Sequence, residues 1–425
     1  NNRCRHDNNR VNRRERNSNG KMRTSNLNRL LRHTAPHRFL LLCLPFTASC
    51  SEGSVPEPCA ELPTRTVLVY LAGDNNLEEI GRTPELLRQG WKDTGSKCLI
   101  YYDAPQAAPK LFALTIRHSD ASSVLETVEE YPEENSSSAG VFGRVLADVV
   151  RKYPSDSYGL IFASHGSGWL PCGALSDPTR TIGDERTPGT TGGAREMEIT
   201  DFAAAIPDHQ FDFIIFEACL MSGIEVAYEL RNKTDYLLAS SAELLVPGYA
   251  PVYPTAFQYL FDTSLGVPQA LEKFAGSYFN YIDTRNGAYR SATQSIVYTR
   301  EMDALAILAG KTTGNTHGRW DDALLGKLQH FDRPGSYGDI PARPRYFDFG
   351  QYMAYLAPER QADLDALLRK TVVWKAATPE FMAGYNGFTI LTHSGLTTYI
   401  EQDEFPELNA AYKKTAWWKA THVQK

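Results

Sequence analysis

Two residues of this chain have the types and settings that acyl transfer requires. His165 follows the apolar run Tyr158-Gly-Leu-Ile-Phe-Ala163, and Cys219 follows Phe211-Asp-Phe-Ile-Ile-Phe216. A thiol is mostly protonated near neutral pH, and the thiolate is the attacking species. An adjacent imidazole can take the proton during attack and return it to a leaving amine. The backbone N–H groups of Gly166 and Cys219 are candidates for holding a tetrahedral oxyanion. Gly166, lacking a Cβ, lets a substrate carbonyl come close to the backbone. Cys172 is the rival nucleophile, but it sits in Trp169-Leu-Pro-Cys-Gly173 with no strand to fix it. Taken singly, each residue has an ordinary explanation: a Cys after a buried strand is commonly a small core hydrophobe, and a lone His is commonly exposed or hydrogen-bonded. The pairing carries the reading.

Both preceding runs are continuously apolar and read as buried strands, as do Thr66–Leu71 and Cys98–Tyr102. Helical stretches alternate with them at 78–89, 141–153 and 224–231, with another starting at Thr200 as its N-cap. This alternation predicts an α/β fold with a largely parallel sheet and helices on both faces. In open parallel sheets, chemistry collects at the carboxyl edge of the strands. Neighbouring strands would therefore bring His165 and Cys219 to one edge. Leu111–Ile116 and Val124–Val128 read as a hairpin. The C-terminal part adds helices near 268–283, 301–330 and 359–377, and strands at Ser295–Tyr298 and Phe388–Thr392. Residues 171–198, rich in Gly, Pro, Thr and Arg, read as a long loop. Asp74-Asn75-Asn76 lacks the spacing and terminal Glu of an EF-hand, and reads as an Asx-type turn.

The 425 residues carry a formal net charge of −6, with 42% hydrophobic and 22% charged residues. That is an ordinary globular composition without the basic face of a nucleic-acid binder. Residues 1–21 are rich in Asn and Arg and read as a non-native leader. Residues 22–49 read as a signal peptide: Met22 starts a basic region, Phe39–Phe46 is a short apolar run, and small residues precede Cys50. Cys50 after Thr47-Ala48-Ser49 resembles a bacterial lipobox, with Thr47 where Leu is usual, which makes Cys50 the expected lipidation site. The apolar run is far shorter than the roughly 20 residues of a membrane span. Residues 50–63 read as a polar tether and 64–425 as one elaborated domain. The seven cysteines match no zinc spacing, so no metal site is expected. Export is compatible with a Cys59–Cys98 disulfide.

The wording of the motifs goes further. Ser164-His-Gly-Ser-Gly-Trp-Leu-Pro171 and Phe211-Asp-Phe-Ile-Ile-Phe-Glu-Ala-Cys-Leu-Met-Ser-Gly223 resemble the clostripain-like cysteine peptidases of clan CD. So do Tyr70-Leu-Ala-Gly-Asp-Asn-Asn-Leu77 and Ser240-Ser-Ala-Glu-Leu-Leu-Val-Pro-Gly-Tyr249. Either His or Cys block alone is shared with caspases, gingipains and legumains; the set is specific. The resemblance implies a caspase-like sheet, His165 as acid/base, Cys219 as nucleophile, and cleavage of protein or peptide substrates after Arg, in some relatives Lys. A buried guanidinium demands a charge-assisted partner. The family usually has Asp two residues before the Cys, and Glu217 stands there. Arg180, Arg186 and Arg195 are candidate self-cleavage sites in the intervening loop. No cofactor is required by the residues here, and because some relatives need Ca²⁺ the resemblance keeps Ca²⁺ open as a cofactor. The expected protein is an exported bacterial endopeptidase held at the cell envelope by a lipid anchor. The alternative is a catalytically silent surface lipoprotein that binds ligands on the same scaffold.

Overall fold

The Val-, Ile- and Leu-rich runs become strands because β-branched and apolar side chains pack well on a pleated surface covered on both sides. The computed structural model describes residues 64–75, 77–105, 107–175, 196–313, 322–336 and 342–422, all within the unit Ala60–Lys425. The strands are β1 (Arg65–Ala72), β2 (Lys97–Ala104), β3 (Ala107–Ile116), β4 (Ser123–Glu130), β5 (Ser157–Ala163), β6 (Phe211–Glu217), β7 (Thr234–Ala239), β8 (Thr293–Tyr298), β9 (Phe347–Asp348), β10 (Val372–Ala377), β11 (Glu380–Phe381), β12 (Phe388–Thr389) and β13 (Thr397–Thr398). Nine of them form one sheet in the order β10-β8-β7-β6-β5-β1-β2-β3-β4. The inner strands β7, β6, β5, β1 and β2 are parallel, and antiparallel strands extend both edges. The largely parallel, caspase-like α/β fold expected from the sequence is the fold observed.

The helices are α1 (Thr83–Gly90), α2 (Ala139–Lys152), α3 (Ile199–Ala205), α4 (Ile224–Glu229), α5 (Tyr253–Ala256), α6 (Val267–Asp283), α7 (Met302–Thr313), α8 (Asp322–Leu325), α9 (Phe349–Leu356), α10 (Gln361–Thr371), α11 (Pro406–Tyr412) and α12 (Ala416–Thr421). Alternate strand residues feed two cores. Leu68, Tyr70, Leu160 and Phe162 join α2, α3 and α4 residues in one core. Val67, Val69, Ile161 and Phe213 join residues of α1, α5 and α6 in the other. Cys98 lies buried in the second core, and Cys59, its partner in the disulfide considered above, lies outside the described residues. Burial pushes the pKa of Cys98 well above the ordinary thiol range.

Four local expectations differ from the structure. Of the helix expected near 301–330, the described residues form α7 (Met302–Thr313) and the short α8, which stops at Leu325, and 314–321 lie outside the described residues. The helix expected near 359–377 stops at Thr371, and Val372–Ala377 forms β10 antiparallel to β8. The β-branched and aromatic run Val372-Val373-Trp374 extends the sheet edge instead of another helical turn. The strand Phe388–Thr392 shortens to Phe388–Thr389, paired with β11. The N-cap of α3 is Glu198, not Thr200, and its side chain makes no capping bond. Its carboxylate accepts the Cys172 N–H at 2.8 Å instead.

One buried acid gives the fold a distinctive pH dependence. Glu225 in α4 is 2% exposed. Its Oε1 accepts the Thr398 hydroxyl at 3.0 Å and the Tyr399 N–H at 2.9 Å, while Oε2 accepts no hydrogen bond. Burial raises the carboxyl to about 7, against those bonds. A carboxyl raised by folding stabilises the native state most below its unfolded value near 4.5, and that contribution fades as pH rises to about 7. The stability advantage of wild type over Glu225→Gln is therefore expected to shrink by on the order of 3 kcal/mol between pH 4.5 and 8. Denaturant unfolding of both proteins at the two pH values measures it. A constant difference contradicts the titration.

Candidate active site

Strands β5 and β6 run parallel with Ala163 opposite Glu217. The chain leaves them in step: Ser164 N–H donates to the Glu217 carbonyl at 3.3 Å, and His165 and Cys219 each stand two positions beyond that pair. Side chains far apart in sequence thus line one cleft, with Leu77, Ile80, Thr83, Leu244, Val246 and Pro247 completing its walls. The cleft encloses about 60 Å³. His165 is 3% exposed, whereas Cys219 is half-buried. The Cys219 thiol donates to the Leu244 carbonyl at 3.9 Å. The turn after β1 supports the His165 side of the cleft. Asn75 Oδ1 accepts the Leu77 N–H at 2.8 Å, the Asx turn expected there, and its amide donates to the Ala72 carbonyl at 2.7 Å. Ser164 Oγ donates to the same carbonyl at 3.2 Å.

The two loops interlock through small residues. A Cβ on Gly166 would lie 2.7 Å from the Cys219 carbonyl oxygen and 3.0 Å from both Ala218 Cβ and Met221 Sδ. Glycine is needed there for packing against the Cys loop, a different reason from substrate approach. Gly168 has φ +65°, and a Cβ there would lie 2.8 Å from the Leu220 carbonyl oxygen. Leu220 itself adopts φ 61°, a conformation that costs a bulky L-residue about 1 kcal/mol or more. It is held there by donating its N–H to the Ala242 carbonyl at 2.9 Å. Gly166→Ala must push the His and Cys loops apart, because two of its neighbours are backbone or Cβ atoms. Peptidase activity is expected to fall roughly 100-fold, checked by steady-state kinetics alongside a melting curve. Wild-type activity in that variant contradicts the interlock.

Glu217 lines the same cleft. Its Oε1 accepts the Tyr249 N–H at 2.7 Å, and its Oε2 accepts the Tyr253 hydroxyl. Gly248, at φ +61°, leaves the space this requires, since a Cβ there would lie 2.4 Å from Oε1. Burial raises the Glu217 carboxyl to about 7, and the two hydrogen bonds oppose that rise. The Tyr249 hydroxyl is anchored in turn on Gln294 Oε1 at 2.7 Å. Nothing local in the sequence marks Tyr249 and Tyr253 as partners of Glu217.

The other sequence candidates are dispersed. Cys172 does not line the cleft; its thiol donates to the Glu196 carbonyl at 3.6 Å. Arg180, Arg186, Arg195 and Cys50 lie outside the described residues. Among the described residues no group of three or more His, Cys, Asp or Glu could hold a metal ion. No described helix is long and apolar enough to cross a membrane.

Known proteins share this arrangement of elements. Clostripain of Hathewaya histolytica is 26% identical over 290 residues, 61% of this chain and 52% of clostripain, so the chain spans about half the length of that relative. An inactive zymogen C11 protease from Parabacteroides distasonis is 29% identical, with a TM-score of 0.69 over 84% of this chain and 98% of that one. A secreted C11 cysteine protease from Bacteroides thetaiotaomicron, solved in complex with an irreversible peptide inhibitor, is 25% identical. Its TM-score is 0.70 over 84% of this chain and 98% of that one. Residues 69–308, more than half of the chain, match the profile of the clostripain family, and on this match and the shared fold the chain belongs to the clostripain family of cysteine-type peptidases.

Proposed function

We propose that this peptidase is an exported endopeptidase that cleaves after basic residues, with Cys219 as nucleophile and His165 as acid/base. The observation that carries the reading is the convergence of His165, Cys219 and the half-buried Glu217 on one cleft. Cys219 Sγ attacks the scissile carbonyl carbon, and the thiol proton passes to His165 as the C–S bond forms. The N–H groups of Gly166 and Cys219 stabilise the oxyanion. Collapse of the intermediate expels the amine, which takes the proton from His165 and leaves a thioester. Water then attacks the thioester with His165 as base, the acid departs and the thiol is restored. Glu217 pairs with the substrate's basic side chain. Cleavage after Arg or Lys is tested with an Arg-directed acyloxymethyl ketone, followed by mapping of the modified residue. Modification at Cys219 is expected; modification only at Cys172 or Cys98 overturns the assignment.

Export is supported by the signal-like segment before Cys50 and by the secreted relative from B. thetaiotaomicron. In this reading Cys50 becomes the lipidated N-terminus, and fatty-acid label is lost in Cys50→Ala. The loop holding Arg180, Arg186 and Arg195 is the proposed self-processing segment. N-terminal sequencing of purified fragments identifies which bond is cut, and an intact chain in a fully active preparation refutes processing.

A further inference from the structure

The small strands of the C-terminal region hold both loops of the cleft. Strand β13 pairs antiparallel with β9. Thr397 of β13 donates its N–H to the Ser222 carbonyl at 2.9 Å, and Ser222 Oγ donates to the Gly395 carbonyl at 2.7 Å. These bonds grip the turn that follows Cys219. Tyr346, immediately before β9, reaches the other loop: its hydroxyl donates to the Ser167 carbonyl at 2.6 Å. The tyrosine is 3% exposed, and its own carbonyl is pinned by the Phe331 N–H at 2.9 Å. Its ring packs beside Gly168, 3.5 Å from where a Cβ would stand. Tyr346, β9 and β13 all lie beyond the segment matched by the family profile, which ends at residue 308.

We propose that Tyr346 is a positioning residue: by holding the Ser167 carbonyl while β13 holds Ser222, it sets the separation between His165 and Cys219. The inference rests on the reading of those two residues as the reacting pair. Ser167 lies two residues from His165, and Ser222 three from Cys219. The two attachment points belong to one two-stranded unit, so a shift of that unit moves both loops together. Loss of the Tyr346 bond releases the Ser167 end of the His165 loop, which then keeps only its direct packing against the Cys219 loop. The Glu217 carboxylate is held separately, by the Tyr249 N–H and the Tyr253 hydroxyl, so substrate binding through it is expected to change little.

The test is Tyr346→Phe in the full chain, which removes the hydroxyl and keeps the ring. Active-site titration with the Arg-directed ketone counts competent molecules, so any misfolded fraction is removed from the comparison. Per titrated site, kcat on a peptidyl-Arg amide is expected to fall about tenfold or more, with KM within about twofold of wild type. The second-order rate of inactivation by the same ketone should fall in parallel with kcat. A kcat per site within twofold of wild type overturns the inference, as does a change confined to KM. Cys219→Ala is run beside it. If that variant keeps its activity, the reading of the pair fails. If it is inactive while Tyr346→Phe is fully active, only the positioning role fails.

Discussion

Cys219→Ala is expected to lower kcat on peptidyl-Arg amides by about 10⁴-fold or more, with an unfolding midpoint close to that of wild type. In the proposed mechanism the sulfur forms the bond to the acyl carbon, so no neighbour can substitute for it by small movements. The fold should tolerate the change, because the side chain is only half-buried and its bond to the Leu244 carbonyl is long, at 3.9 Å. His165→Ala is expected to have an effect of similar size, and the double variant little more than either single one, because groups acting as a unit are strongly non-additive. Steady-state kinetics on purified, folded variants measures all three. Activity within tenfold of wild type in Cys219→Ala would move the nucleophile elsewhere, with Cys172 the next residue to replace.

Glu217→Gln is expected to lower kcat/KM for Arg and Lys substrates by about 100-fold or more. In the proposed reading, removing the charge leaves the substrate's basic side chain desolvated without its partner, while the packing of the cleft is nearly unchanged. Cleavage after an uncharged residue, however slow, should not fall with it. The pH profile carries the same information. Burial raises the Glu217 carboxyl to about 7, so in the free enzyme it is largely neutral below that pH and ionised above it. A cationic substrate selects the ionised form. The wild-type kcat/KM for basic substrates should therefore rise as pH increases through about 7, and Glu217→Gln should lose that component. If the profiles of wild type and Glu217→Gln are superimposable after scaling, the carboxyl does not govern recognition.

Much of the architecture was legible because it depends on local patterns. Continuous apolar runs such as Thr66–Leu71 and Phe211–Phe216 allow only a doubly covered strand, and parallel neighbours must end at one edge, which brings His165 and Cys219 to a common cleft. Where local preference competed with pairing, the reading failed: Val372–Ala377 joins β8 because an open sheet edge offered hydrogen bonds and packing. The helix α3 starts after Glu198, not Thr200, and the Glu198 carboxylate is turned to the distant Cys172 N–H and makes no capping bond. The residues that shape the cleft were hidden for a related reason. Glu217 was recognisable as an acid beside Cys219, but its environment comes from Gly248 and Tyr249 in the loop after β7 and from Tyr253 at the start of α5. Tyr346 carries no periodic or motif signal and acquires its place only when β9 and β13 pack against the Cys219 turn. Residue type and spacing thus specified which groups could react and which strands would carry them. The burial of Glu217 and the grip on both loops arise from contacts between distant segments, because desolvation and hydrogen bonding belong to the packed surroundings and not to the side chain alone.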